Sequence, residues 1–398
     1  MRGDLAKSER VRREEFIGEA IWHGGLARAE EILAGNPELE SSDIHIAAIL
    51  GDDAAVRAFI ATDPASVTAK SGPHGGDALN YLGLSKYLRL RPERTPAFVR
   101  AATALLDAGA DPNTGFWTTG DFPEFESAMY GAAGVAHNPE VTKLLLERGA
   151  DPNDGEVAYH APETGDNRCL TLLVETGKLT AESLGMMVIR KIDWHDEDGL
   201  RYLLEHGAPA EGERTRGWRA LHHALARANG LPAITLLLDH GADPSQESDG
   251  ISATVRAARV GRGDVLEEFR KRGNALEFTG LDRLIAACAT GNAAGAREIA
   301  AREPALLKEL LPMGGTLLAR FSIAGNIDGI RILLDLGVSA TAPFVEGDGY
   351  FGFHANTLPI YVAAKLYHPE IVQLLVERGS PTDEQVIALL NRKGRWWE

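Results

Sequence analysis

The sequence predicts an all-α solenoid of stacked helix-turn-helix units, with turns projecting between the units. Three observations predict it. A phrase containing Leu-Leu and then Gly recurs at intervals mostly near 33 residues. A second phrase, rich in paired small residues, opens the intervals. The 398 residues also exceed what one ordinary core of roughly 100–200 residues encloses. Self-similarity at such a period marks a repeat architecture.

The closing phrase reads LLDAGADPN (105–113), LLERGADPN (145–153), LLEHGAPAE (203–211) and LLLDHGADPS (236–245). Weaker copies are LLVETG (172–177), EEFRKRGNA (267–275), ILLDLGVSA (332–340) and LLVERGSP (374–381), and the gap from Gly273 to Gly337 holds one further unit, ending at REPALLKEL (302–310). The glycines stand at 109, 149, 177, 207, 241, 273, 337 and 379. An apolar Leu-Leu pair gives a helix a face to bury, and Gly ends that helix by taking the left-handed conformation. Asp-Pro-Asn then starts a turn.

The opening phrase reads SDIHIAAILGD (42–52), RALHHALARANG (219–230), SATVRAARVGRGD (252–264), DRLIAACATGN (282–292) and LPIYVAAKLYHPE (358–370). Small residues let this first helix lie close to its neighbours, and a polar turn leads into the second helix. Each unit is therefore two short antiparallel helices.

These phrases resemble the ankyrin repeat. The opening copies match its Thr-Pro-Leu-His-x-Ala-Ala pattern and the closing copies its Leu-Leu-x-x-Gly-Ala-Asp-Pro-Asn pattern, over about eleven degenerate units from residue 16 to about 390. The resemblance implies a continuous solenoid at 16–390, after a charged N-terminal segment (1–15) and before a tail (391–398). It implies projecting finger turns and a concave face on which partners bind. The motif His is kept at His45 and His222 and replaced at Asn80, Tyr130, Tyr159, Val255, Ile285 and Tyr361. In the family this His bonds backbone, so a structural role is expected for both. Cys288 falls on a small buried position, where a reactive thiol is not expected. FIGEAIWHGGLARAEEIL lacks the opening motif and reads as the capping unit. DEQVIALLNRKGRWWE carries a single helix pattern that closes the other end, and leaves open whether Trp396 and Trp397 fold back or stand exposed.

Composition excludes several classes. With 41 Lys and Arg against 57 Asp and Glu, the net charge is −16, the wrong balance for nucleic acid or an anionic membrane surface. No run approaches the roughly 18 apolar residues of a membrane span. The N-terminus has no apolar core of a secretory signal. Cys169 and Cys288 form neither a disulfide framework nor a zinc cluster. The expectation is a cytoplasmic monomer without cofactor or metal.

Three insertions interrupt the period. ASVTAKSGPHGGDAL (65–79) reads as a flexible turn. TGFWTTGDFPEFES (114–127) and TAPFVEGDGYFGFHAN (341–356) are extended fingers, and aromatics, 7% of the chain, make up about a quarter of each. Aromatic anchors dominate interface energetics. The candidate partner-binding residues are therefore Phe116, Trp117, Phe122 and Phe125 in the first finger, and Tyr350, Phe351, Phe353 and His354 in the second. Trp218, beside Arg216 and Arg219, extends the set from a third finger. Asp121, Glu124 and Asp348, near Glu126 and Glu346, favour a partner with a basic patch. The competing reading is that long fingers pack their own aromatics to stay ordered.

The expected function is a non-catalytic scaffold or adaptor that binds a protein on this finger face. No P-loop, H-E-x-x-H or G-x-S-x-G motif is present. GDGYFG (347–352) follows no parallel strand, and DWHDED (193–198) reads as a solvated turn rather than a metal site. The alternative is a small-molecule-binding or enzymatic solenoid, with a His and a carboxylate sharing a pocket between fingers. Tyr159, His160, His354 and Asp348 are its candidates.

Overall fold

The computed structural model describes residues 2–213 and 217–391, with side chains from Arg10 onward. Arg216, Trp396 and Trp397 lie outside the described residues. The chain divides into two compact units, Met1–Glu213 and Arg214–Glu398.

The N-terminal unit stacks six helix pairs. They are Arg2–Ala20 with Ala27–Gly35, Ile44–Leu50 with Asp53–Thr62, and Ala78–Gly83 with Thr95–Asp107. Next come Ala128–Tyr130, running on as a wider turn through Gly131–Val135, with Pro139–Glu147; then Gly155–His160 with Arg168–Glu175, and Ala181–Asp193 with Glu197–Glu205. The first helix runs back through most of the expected charged N-terminal segment.

The C-terminal unit stacks five pairs. They are Ala220–Ala226 with Leu231–Asp239, Ala253–Arg259 with Gly263–Lys271, Leu281–Ala289 with Ala293–Arg302, Gly314–Ile323 with Ile327–Asp335, and Pro359–Lys365 with Pro369–Glu377. A helix, Pro304–Leu310, stands where a finger would be, and Glu384–Asn391 follows the last pair. The fold is all-α, with short two-stranded hairpins confined to fingers.

Local chemistry explains each pair. Several second helices begin on polar caps: Asp52 accepts from the amides of Ala54 and Ala55, Asn138 from Val141, Asp196 from Gly199 and Asn326 from Gly329. Eight of the eleven second helices end at the glycines of the closing phrase, all with φ between +64° and +99°. A Cβ at seven of these would touch nothing within 4 Å, and at Gly337 only Leu311 at 4.0 Å. Backbone conformation rather than space therefore calls for glycine. Between those ends, Leu105, Leu145, Leu203, Leu237, Phe269, Leu333 and Leu375 are buried, as are the small residues Ala47, Ala48, Ala257, Ala258, Ala363 and Ala364 of the first helices.

Asp-Pro-Asn links one turn to the next. Asp111 accepts from the Asn113 amide at 2.9 Å, and Asn113 Oδ1 accepts from the Asp151 amide at 2.8 Å. Asn153 repeats both contacts, with the Asp151 carboxylate and with the Thr180 amide at 2.7 Å. The motif histidines do the same from the first helices: His45 Nε2 lies 2.7 Å from the Ala69 carbonyl, and His222 Nε2 lies 2.9 Å from that of Ile251. Their structural role is observed.

Candidate functional site

The first finger is an antiparallel hairpin, Gly115–Trp117 with Phe125–Ser127, in the register Phe116↔Glu126 and Trp117↔Phe125. Side chains alternate along a strand. Phe116 and Glu126 therefore point inward, 5% and 4% exposed, while Trp117 points out at 64%. Phe122, in the loop beyond the strands, is 88% exposed. Half-buried Phe125 braces Trp117, with ring centroids 5.2 Å apart. Asp121 and Glu124 are exposed beside them.

Beneath the hairpin, three rings meet. Trp22 lies edge-on to His74 and Phe116, at 5.0 and 5.4 Å, and His74 stacks on Phe116 at 5.0 Å. His74 comes from the 65–79 insertion, where a single bridge joins Ser71 to Gly76. The Tyr81 hydroxyl closes it, accepting from the Gly76 amide and donating to the Ser71 carbonyl. Trp22 Nε1 donates to Glu126 Oε2 at 3.3 Å. Burial, with the charges of Glu156 and Glu124 adding, pushes the Glu126 carboxyl up to about 7.

An ionic chain continues from there. His160 lies between Glu156, 3.3 Å from Nε2, and Glu163, 2.9 Å from Nδ1. Burial alone would lower its pKa, but the two carboxylates overcome that and raise it to about 9. Arg190 pairs with Glu163 and Asp193 and lies 4.0 Å over the Tyr159 ring. Tyr130 packs 5.2 Å from the His160 ring.

The second finger is built differently. It closes through the single bridges Phe344↔Thr357 and Asp348↔Phe353 rather than a continuous ladder. Phe344, Phe351 and Phe353 are buried against Ala319 and Val362. Tyr350 is half-buried, with the Arg227 guanidinium 4.0 Å from its ring centre. Asp348 pairs with Arg320, and its Oδ1 accepts from the Tyr350 amide at 3.0 Å. The GDGYFG amides of Tyr350 and Phe351 are thus occupied by the loop's own carboxylate.

These positions correct part of the sequence reading. Phe116, Phe351 and Phe353 are not surface anchors, because each fills the base of its own finger. Asp348 is paired with Arg320 within the chain. Trp117, Phe122, Asp121, Glu124 and His354 are exposed. Trp218 is half-buried, its ring stacked 6.4 Å from His223. Tyr159 and His160 belong to the N-terminal unit and His354 and Asp348 to the C-terminal one.

In DWHDED, Asp196 caps a helix and binds the buried Lys191 Nζ at 2.6 Å, and Asp193 binds Arg190. Among the described residues, no three His, Cys, Asp or Glu side chains are grouped to hold a metal ion. Cys169 and Cys288 are buried, their thiols pushed up by burial to about 11 and 12. Among the described residues no helix is long and apolar enough to cross a membrane.

Sequence reasoning did not connect Trp22, His74 and Glu126. The only signal was a His in the Gly-rich loop one unit before an aromatic finger. Charge also divides unevenly: the N-terminal unit has 20 Lys and Arg against 36 Asp and Glu, the C-terminal unit 21 of each. The whole net charge resides in the unit carrying the exposed hairpin.

No protein-family model matches the chain, and no curated protein matches it in sequence. Similar solved structures include the ankyrin repeat domain of human ASB11, 23% identical over 54% of this chain and 90% of that one, with a TM-score of 0.42. They also include the ankyrin repeat domain of Bcl-3, described as a unique member of the IkappaB protein family. It is 23% identical over 48% of this chain and 87% of that one, with a TM-score of 0.39. Those superpositions carry no functional argument. By its own helix pairs, left-handed closing glycines and linked Asp-Pro-Asn turns, the chain has the ankyrin-repeat fold.

Proposed function

We propose that this chain is a protein-binding scaffold whose contact surface is the tip of the 114–127 finger. One observation carries the reading. Phe122 and Trp117 are the two most exposed large hydrophobic residues among those described, at 88% and 64%, and both stand on a hairpin ordered from beneath. Large aromatics held out on a supported element supply contact area with little ordering entropy. Asp121 and Glu124 flank them in a unit of strongly negative charge, which favours a partner with a basic patch.

Capture from a lysate of the source cells, with wild type beside Trp117→Ala/Phe122→Ala of equal helicity, tests this. The double variant is expected to lose more than about 1 kcal/mol, or roughly fivefold, in affinity for the captured protein. Retention of the same proteins at the same affinity would overturn the reading.

A further inference from the structure

We propose that Glu126, beside the ring cluster of Trp22, His74 and Phe116, is the floor of a subsite for a primary ammonium group, the end of a partner's lysine side chain. This rests on the scaffold reading and names the chemistry that its partner brings beside the finger tip.

Glu126 is 96% buried yet poorly compensated. Its only side-chain hydrogen bond among the described residues is the 3.3 Å contact from Trp22 Nε1 to Oε2, and nothing donates to Oε1. Among the charged groups acting on it are Glu124, Glu156 and His160, and Lys70 Nζ lies on the Gly115 carbonyl of the same hairpin at 3.4 Å. The His160 cation is already held between Glu156 and Glu163. A buried carboxylate without a counter-charge destabilises the fold unless it takes up a proton, as its raised pKa shows, or an incoming cation compensates it.

The walls suit such a cation. Trp22, His74 and Phe116 form a three-ring cluster with centroids 5.0 to 5.4 Å apart, and aromatic faces attract ammonium ions. Trp22 adopts φ +67°, a left-handed conformation uncommon for a bulky residue, and its indole N–H meets Glu126. The site also adjoins the exposed hairpin, because Glu126 and Phe116 pair in the strands that carry Trp117 and Phe125. Glu126 thus lies on the inner face of the same hairpin whose outer face carries Trp117.

The test uses the full chain labelled with 15N at tryptophan, titrated with n-butylammonium as a lysine side-chain mimic and n-butanol as its neutral counterpart. The Trp22 indole N–H, identified through Trp22→Phe, is the readout. A saturable shift is expected at pH 8 with the ammonium and not with the alcohol. Glu126→Gln is expected to weaken it at least about tenfold. Should that variant not fold, wild type at pH 5.5 replaces it, since protonation of Glu126 removes the charge while His160 stays cationic. Equal responses to ammonium and alcohol, no response to either, or an undiminished response without the Glu126 charge would overturn the proposal. Trp117→Ala/Phe122→Ala is expected to keep the ammonium response, so failure of the finger reading and failure of the subsite are separable.

Discussion

The fingers at 114–127 and 341–356 contain the same ingredients, four aromatics each with acids between them, yet one holds two rings out while the other buries three. The difference lies in backbone pairing. In the first, a three-residue ladder enforces alternation, so Phe116 and Trp117 face opposite ways and Phe122 is carried beyond the strands. In the second, isolated bridges leave the chain free to curl, and Phe344, Phe351 and Phe353 turn together onto Ala319 and Val362. Aromatic composition identifies a finger as special; hydrogen-bond register decides whether its rings face a partner or the core.

The sharpest way to break this comparison is to truncate one ring in each finger. Phe351→Ala, which empties a site only 2% exposed, is expected to destabilise the protein by about 3–5 kcal/mol. Phe122→Ala is expected to stay within about 0.5 kcal/mol. Urea denaturation of both variants checks this, and equal effects would end the distinction.

Ionic pairs also hold the N-terminal unit, at His160 and at Lys191. Lys191→Met leaves Asp196 without its buried cation, though Asn167 Nδ2 and the Gly199 amide still donate to it. A loss of about 3 kcal/mol is expected, read as a lowered denaturation midpoint with circular dichroism.

Next in size is the His160 network. Its raised pKa means that its stabilisation is fully present below about 6.5 and is lost as pH rises through about 9. Wild type minus His160→Gln is expected to shrink by on the order of 2 kcal/mol over that window. Stability curves between pH 6 and 10 test it, and a pH-independent difference would mean that the ring acts by packing alone.

The smallest effect concerns turns between paired helices. Tyr367 has φ +65° in the position that Gly325 fills with φ +69°, and Tyr367 is 45% exposed. Tyr367→Gly is expected to raise stability by about 1 kcal/mol through relief of the left-handed penalty. A lowered midpoint would show that the ring's contacts outweigh it.

Much of the fold was legible because its determinants are local. Leu-Leu followed by Gly specifies a helix and its end, Asp-Pro-Asn specifies a turn, and the period places the next unit. The eight glycines read from sequence are the eight that terminate second helices. His45 and His222 were likewise readable, since their partners lie on the next turn. The site was only partly legible. Trp117, Phe122, Asp121 and Glu124 are exposed as expected, whereas Phe116, Phe351 and Phe353 are not, because strand pairing and loop curvature do not appear in composition.

The sequence by itself determined the repeat, its caps and its turns, all set within a few residues by backbone preference and side-chain hydrogen bonding. Only the tertiary structure decided that Trp22 reaches Glu126 across 104 residues, that His160 is clamped between two carboxylates, and that one aromatic finger faces outward and the other inward. Those outcomes depend on burial and on charges brought together by stacking. Both are properties of distance in space, which spacing along the chain does not encode.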